Sequence, residues 1–317
     1  METLSLVSTP EISVVIPCYN EEENVAAIAA AVIVELEPIT DSFDIIIIDN
    51  ASTDRTVEIA RSLCRDDGRI KLIANARNFG QMRSPTHAIF QAGGRAIIGI
   101  CADFEDPPSL IPQFVERWRA GTQIVLGVSR AQPTSRLHGW LRQTYYRFTE
   151  RFGDYAVIPN ATGFGLYDRK VVRAIESLRE PEPFFRGMLV ETGYSIETIT
   201  YDRATRRGGR SSNNFFTLLD FALSSLASFS KKLVRLPLYV GVSLGFLAGL
   251  MILATPLVWL ARISLAGWLF ACALEVQIAL LFVFLGLMGD QLRLVSERTR
   301  QTPLVFESER LNFPGDY

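Results

Sequence analysis

Residues 96–108 read Ala-Ile-Ile-Gly-Ile-Cys-Ala-Asp-Phe-Glu-Asp-Pro-Pro, an apolar run that stops at three carboxylates, Asp103, Glu105 and Asp106. Carboxylates this close repel one another, and a hard cation such as Mg2+ or Mn2+ relieves the repulsion by sharing their oxygens. An acidic helix start after a strand would use the same residues. The apolar run is a buried strand, and in open α/β sheets ligands collect at the carboxyl ends of strands. Pro107 and Pro108 end that strand and can open the next helix.

Two more strand ends carry polar chemistry. Pro17-Cys18-Tyr19-Asn20-Glu21 follows an apolar strand at 12–16, and Asp49-Asn50-Ala51-Ser52-Thr53-Asp54 follows one at 43–48. An aromatic ring and carboxylates at these two ends suit a nucleobase and a ribose. The acidic third end suits a metal on a diphosphate. Helix capping alone also explains each of them.

The elements that must hold these ends alternate along the chain. Strands are expected at 12–16, 43–48, 70–73, 96–100 and 124–127. Helices are expected from Asn20, capped with Glu23, to about 36; from Ser52-Thr53-Asp54 to about 65; and near 84–92 and 110–119. The pattern predicts an α/β fold with a mostly parallel sheet covered on both faces. Neither G-x-G-x-x-G nor G-x-x-x-x-G-K-[ST] is present.

The chain has 317 residues, 48% of them hydrophobic, enough for one sizeable domain and an appendage. A net charge of -2 argues against a general nucleic-acid binder. Cys18, Cys64, Cys101 and Cys272 have no metal spacing, as in a reduced, cytosol-facing protein, and no signal segment is expected.

The last third differs. Leu236–Leu260 and Leu265–Gly289 are apolar, apart from Glu275 and Gln277 in the second, and each can span a bilayer core of ~30 Å. Lys231, Lys232 and Arg235 flank the entry, and Arg293, Arg298 and Arg300 the exit. The positive-inside bias therefore predicts a cell-membrane protein with both termini and the catalytic mass in the cytoplasm. Asn213–Arg235 reads as an interfacial amphipathic helix. The expected division is a catalytic domain at 1–210, an interfacial segment at 211–235, two spans within 236–290 and a tail at 291–317.

Before the interfacial segment stand Arg203, Arg206, Arg207 and Arg210, with Gly208 and Gly209 among them. They read as a clamp on phosphates or as simple attraction to anionic lipid. His87 and His138 lack partners at metal spacing and are expected to be structural.

Taken together, Pro17-x-Tyr19-Asn20-Glu21-Glu22, Asp49-x-x-Ser52-Thr53-Asp54, Arg77-Asn78-Phe79-Gly80 and Ala102-Asp103-x-x-Asp106-Pro107-Pro108 resemble the signature of family 2 glycosyltransferases. The branch resembled is that of polyprenyl-phosphate sugar transferases, which includes dolichol-phosphate mannosyltransferase and the bactoprenol glucosyltransferases. The likeness continues through Gly127-Val-x-Arg130, Asp168-Arg169-Lys170-Val171-Val172, the paired spans, and Gly289-Asp290 to Pro303-Leu304.

The resemblance implies a GT-A-type, Rossmann-like fold. It also implies inverting transfer of one sugar from a UDP- or GDP-hexose to a membrane polyprenyl (undecaprenyl) phosphate, for envelope glycan modification. By position, Pro17, Tyr19, Glu21, Ile48 and Asn50 would contact base and ribose. Cys101, Ala102, Asp103 and Glu105 would line the diphosphate, with Asp103 and Glu105 holding Mg2+ or Mn2+. Arg130, Arg142, Arg206 and Arg210 would meet phosphates, and Asp103, Glu105 and Arg206 form the expected catalytic set. A homo-oligomer, possibly a tetramer, is implied as well.

The chain departs from its relatives at Cys101 (usually Asp), Glu105 (usually Gln), Asn50-Ala51 (usually Asp-Gly) and Ser212 (commonly Lys). Gly163 and Gly165 stand near positions where glucosyltransferase-like relatives carry an acidic and a basic residue. A nucleotide-sugar-binding subunit with weakened catalysis is the alternative these departures support.

Overall fold

The computed structural model describes residues 9–130, 158–181, 183–204 and 302–313, with scattered helical positions between 270 and 299. Arg142, Arg206, Arg210, Ser212, the interfacial segment and the two apolar stretches as units lie outside the described residues. Among the described residues no helix is long and apolar enough to cross a membrane.

The described sheet belongs to the unit Met1–Arg142, Val157–Ser212 and Gln301–Tyr317. In chain order its elements are β1 (Ile12–Cys18), α1 (Val25–Leu36), β2 (Phe43–Asp49), α2 (Thr56–Asp66), β3 (Ile70–Asn75), α3 (Gly80–Gln91) and β4 (Ala96–Gly99). A 3₁₀ turn at Pro108–Leu110 then leads into α4 (Ile111–Arg119). After it come β5 (Ile124–Ser129), β6 (Ala161–Asp168), α5 (Arg169–Ser177), α6 (Phe185–Glu191), β7 (Ile196–Tyr201) and β8 (Glu307–Leu311).

The strand order is β7-β5-β6-β4-β1-β2-β3-β8. The centre, β4-β1-β2-β3, is parallel, as the alternating pattern predicts. The sheet as a whole is mixed rather than mostly parallel, because β6 runs against β4 and β5, and β8 against β3. The central strands are near-continuous β-branched runs because both faces are covered. Ile45, Ile46, Ile47 and Ile48 are all fully buried. One face packs Val14, Ile16, Ile45 and Ile47 against Val25, Ile28 and Val32 of α1 and Phe114 of α4. The other packs Val15, Ile46 and Ile48 with Ala88 and Ile89 of α3 and Val171, Val172 and Ile175 of α5.

Two local expectations are corrected. The Asn20–Glu23 capping box does not form, since α1 starts at Val25 and Asn24 makes no side-chain cap bond. Asn20 lies at φ 55°, a left-handed conformation that Asn tolerates, and its side chain points to the neighbouring loop instead. At α2 the Asp54 Oδ1 accepts from the Thr56 N–H at 3.0 Å, so Asp54 alone of the expected trio serves the helix start.

The segment expected as a tail supplies β8. Ala76 N donates to the Phe306 carbonyl at 2.8 Å, and Arg83 donates through Nε to the Leu304 carbonyl at 2.8 Å. His87 Nε2 lies 2.6 Å from Glu307 Oε1, and Arg61 pairs with Glu309 at 2.7 Å. His87 is structural here, as expected. Charges on this outermost strand also discourage pairing with another chain.

Gly165 sits inside β6, where a Cβ would lie 2.4 Å from the Val125 carbonyl oxygen. A side chain has no room there without a backbone shift. Gly165→Val is expected to cost at least ~1–3 kcal/mol through overpacking. A thermal melt should show the loss, and an unchanged melting temperature would contradict the packing described.

Candidate active site

Strands β4, β1 and β2 are neighbours and parallel, so the loops after them lie side by side at one edge. Strand β5 runs antiparallel to β6, which runs antiparallel to β4, so β5 points the same way as β4. Strand β7 is parallel to β5. Arg130 and the segment Asp202–Ala204 therefore arrive at the edge that carries the three polar loops.

The first two loops are latched into one unit. Asn20 Oδ1 accepts from Thr53 N at 2.8 Å, while Asn20 N donates to Ser52 Oγ at 2.8 Å. Glu22 N donates to Asp54 Oδ2 at 3.1 Å, and Arg55 N to Glu22 Oε2 at 3.0 Å. Asp49 is fully buried, and burial pushes its carboxyl up from the usual range against the pull of its Ser52 hydrogen bonds.

The expected base and ribose residues divide into three kinds. Pro17 is half-buried and Tyr19 is 39% exposed. Glu21 is buried and accepts from Asn24 Nδ2 at 2.8 Å, and Asn50 is committed to the loop after β3. Asn50 Oδ1 accepts from Phe79 N at 2.9 Å and from Asn75 Nδ2 at 3.1 Å, and its Nδ2 donates to Asn78 Oδ1 at 2.9 Å. That network accounts for a neutral amide at position 50, since Asn both donates and accepts here. Ile48 is sealed in the core.

The acidic loop is held by β7. Cys101 is exposed, Ala102 is buried, and Phe104 takes φ 58°, an uncommon conformation for a bulky side chain. Asp103 Oδ1 accepts from Glu105 N at 3.2 Å. Asp106 is only 1% exposed, and the Tyr201 hydroxyl donates to its Oδ1. Burial pushes the Asp106 carboxyl up, and the Tyr201 bond pulls it partly back. Asp106 thus belongs to the frame of the loop.

Arg203 pairs with Glu105, and Ala204 N donates to the Glu105 carbonyl at 3.3 Å. Arg130 N donates to the Tyr201 carbonyl at 2.8 Å, and its guanidinium pairs with Asp202 at 3.1 Å. Arg203 belongs to the basic loop of the sequence but not to the site residues expected from it. Its place follows from β7, Ile-Glu-Thr-Ile-Thr-Tyr, whose β-branched and aromatic residues are a strand signal that the expected strands do not include.

Among the described residues no cluster of three or more His, Cys, Asp or Glu side chains closes around a single metal position. Mg2+ bound with substrate phosphates needs only one or two protein carboxylates. The hard oxygens of Asp103 and Glu105 fit that requirement.

The Asp168–Val172 stretch serves the opposite edge. Asp168 caps α5 by accepting from Lys170 N at 2.9 Å, and it also accepts from Trp118 Nε1 at 2.9 Å. Arg169 Nε donates to the Gly94 carbonyl at 2.8 Å. Gly163 has φ 97°, with nothing within 4 Å of where a Cβ would stand.

Residues 13–176, more than half of the 317, match the family described as glycosyl transferase family 2. The chain belongs to glycosyl transferase family 2. A relative in Synechocystis sp., the uncharacterized glycosyltransferase sll0501, is 32% identical over 95% of this chain and 96% of its own length. The bactoprenol glucosyl transferase of Shigella phage SfV is 31% identical over 78% of this chain and 82% of its own. The uncharacterized glycosyltransferase YkcC of Bacillus subtilis is 27% identical over 92% and 91%. This family 2 member is a glycosyltransferase with a GT-A-like mixed sheet.

Proposed function

We propose that this family 2 glycosyltransferase moves one sugar, with inversion, from a UDP- or GDP-hexose to a polyprenyl phosphate at the cytoplasmic face of the cell membrane. The observation that carries the reading is the convergence of three polar loops and two arginines, Arg130 and Arg203, at one sheet edge. The 31% identity to a protein named bactoprenol glucosyl transferase supports the acceptor class. The apolar stretches 236–260 and 265–289 support a membrane anchor, with 211–235 lying in the headgroup layer. A homo-oligomer completes the proposal.

Pro17, Tyr19, Glu21 and Asn50 are proposed around base and ribose, with Ile48 in the core that supports them, and Cys101 and Ala102 beside the diphosphate. The nucleophile is an oxygen of the acceptor phosphate, whose second pKa near ~6 leaves it largely dianionic at neutral pH. It attacks the anomeric carbon from the face opposite the leaving group, and the bond to the nucleoside diphosphate breaks. No strong general base is required. The demanding step is the charge that builds on the departing diphosphate.

Asp103 and Glu105 would hold Mg2+ or Mn2+, which when bound supplies positive charge to that leaving group. Arg130, Arg142, Arg206 and Arg210 are proposed to meet the donor diphosphate or the acceptor phosphate, with Arg206 in the catalytic set. EDTA is expected to abolish sugar transfer, and excess Mg2+ or Mn2+ to restore it. Transfer that persists in EDTA would contradict the assignment of Asp103 and Glu105.

A further inference from the structure

We infer that Arg203 is a ligand of the donor diphosphate, held ready by Glu105 until the nucleotide arrives, so that this side chain strengthens the cooperative binding of nucleotide and divalent cation. The inference rests on the site reading above and adds a residue and a coupling to it.

The segment 201–204 runs along the acidic loop and is tied to it on both sides of Arg203. The Tyr201 hydroxyl donates to Asp106, and the Tyr201 ring packs edge-on against Phe164 with centroids 5.7 Å apart. Ala204 N donates to the Glu105 carbonyl at 3.3 Å. Asp202 is drawn the other way by Arg130 at 3.1 Å. The backbone under Arg203 is therefore anchored, while its side chain remains 38% exposed and that of Glu105 24% exposed. The pair sits where a ligand can reach it.

A guanidinium offers five N–H donors in a planar fork suited to phosphate oxygens. Pairing with one carboxylate uses only part of that fork. A divalent cation bound at Glu105 would face the positive charge of Arg203 at close range, and like charges there oppose one another. A diphosphate resolves the conflict, because it carries more negative charge than a single carboxylate and can take Arg203 over. Glu105 is then left to the cation. Each ligand accordingly raises the affinity of the other, and by linkage the two effects are equal.

The test is Mn2+ titration, read by electron paramagnetic resonance on the full-length detergent-solubilised protein, alone and with saturating UDP or GDP. Wild-type protein is expected to bind Mn2+ at least tenfold more tightly with one of the two nucleotides present. Arg203→Ala should bind Mn2+ alone several-fold more tightly than wild type, bind that nucleotide about tenfold more weakly, and show several-fold weaker coupling. Arg203→Lys, which keeps the charge without the fork, should fall between.

If Arg203→Ala does not fold, Glu105→Gln reads the same device from the other side: nucleotide should bind it more tightly than wild type when no metal is present. A lower melting temperature in Arg203→Ala, with both affinities and their coupling unchanged, would overturn the inference and leave the proposed function standing. Wild-type protein that binds neither Mn2+ nor either nucleotide would overturn the proposed function itself.

Discussion

Asp103→Ala is expected to lower kcat for sugar transfer by about 10²–10³-fold, the size of effect seen when one element of transition-state charge stabilisation is removed. The carboxylate stands in the loop after β4, and in the proposed mechanism it brings a cation to the departing diphosphate. Its Oδ1 also accepts from Glu105 N at 3.2 Å, so alanine removes a turn bond as well as a charge. Asp103→Asn separates the two, because an amide oxygen still accepts that bond while the charge is gone. Both variants should melt near the wild-type temperature and both should lose transfer. An Asp103→Asn enzyme that retains more than about a tenth of wild-type kcat would remove Asp103 from the catalytic set.

Lys71→Ala is expected to have the largest effect on stability. Lys71 Nζ lies 2.6 Å from Asp44 Oδ2 across the β2–β3 pair, with side-chain exposures of 15% and 6%. The other Asp44 oxygen, Oδ1, is buried and has no hydrogen-bond partner among the described residues. Removing the lysine strands a buried carboxylate, which typically costs about 3–5 kcal/mol. That is a large fraction of a total stability of roughly 5–15 kcal/mol. The lysine also stands 5.2 Å over the Phe313 ring, so the loss should loosen the segment after β8 as well. Replacing both partners, Asp44→Leu with Lys71→Met, is expected to recover most of the stability, because an apolar pair of similar volume leaves no unpaired charge. A single variant that melts like wild type would contradict this account of the pair.

The parallel centre of the sheet was legible in the sequence because strands covered on both faces read as unbroken β-branched runs. Phe43–Asp49 is buried at every position and is followed at once by turn-forming Asn, Ser, Thr and Asp. The shared edge of the three loops followed from that parallelism. The outer strands carried no such signal. Strand β6 has Ala161, Gly163 and Gly165 where β-branched residues would mark a strand; Gly165 answers to close approach by the Val125 backbone, and Gly163 to its φ of 97°. Strand β8, Glu-Ser-Glu-Arg-Leu, is almost wholly polar and is held by pairing with β3 and by Arg61–Glu309, partners 248 residues apart.

The site shows the same division. Tyr19, Glu21, Asp103 and Glu105 could be placed because they directly follow recognisable strands. Arg203 could not, because its contact with Glu105 depends on β7, a strand with an exposed, half-polar face. Asn20 read as a helix cap because its type suits one. Its actual partner, Thr53, lies across the gap between two parallel strands, a contact that only tertiary structure creates.

The most direct test of the central claim is the mass of the lipid product after the detergent-solubilised protein is incubated with undecaprenyl phosphate, Mg2+ or Mn2+ and a panel of UDP- and GDP-hexoses. The account predicts a single added hexose per lipid from one donor, absent in EDTA and absent with Asp103→Asn. A polymer of sugars on the lipid, or no lipid product from any donor while nucleotide still binds, would contradict it.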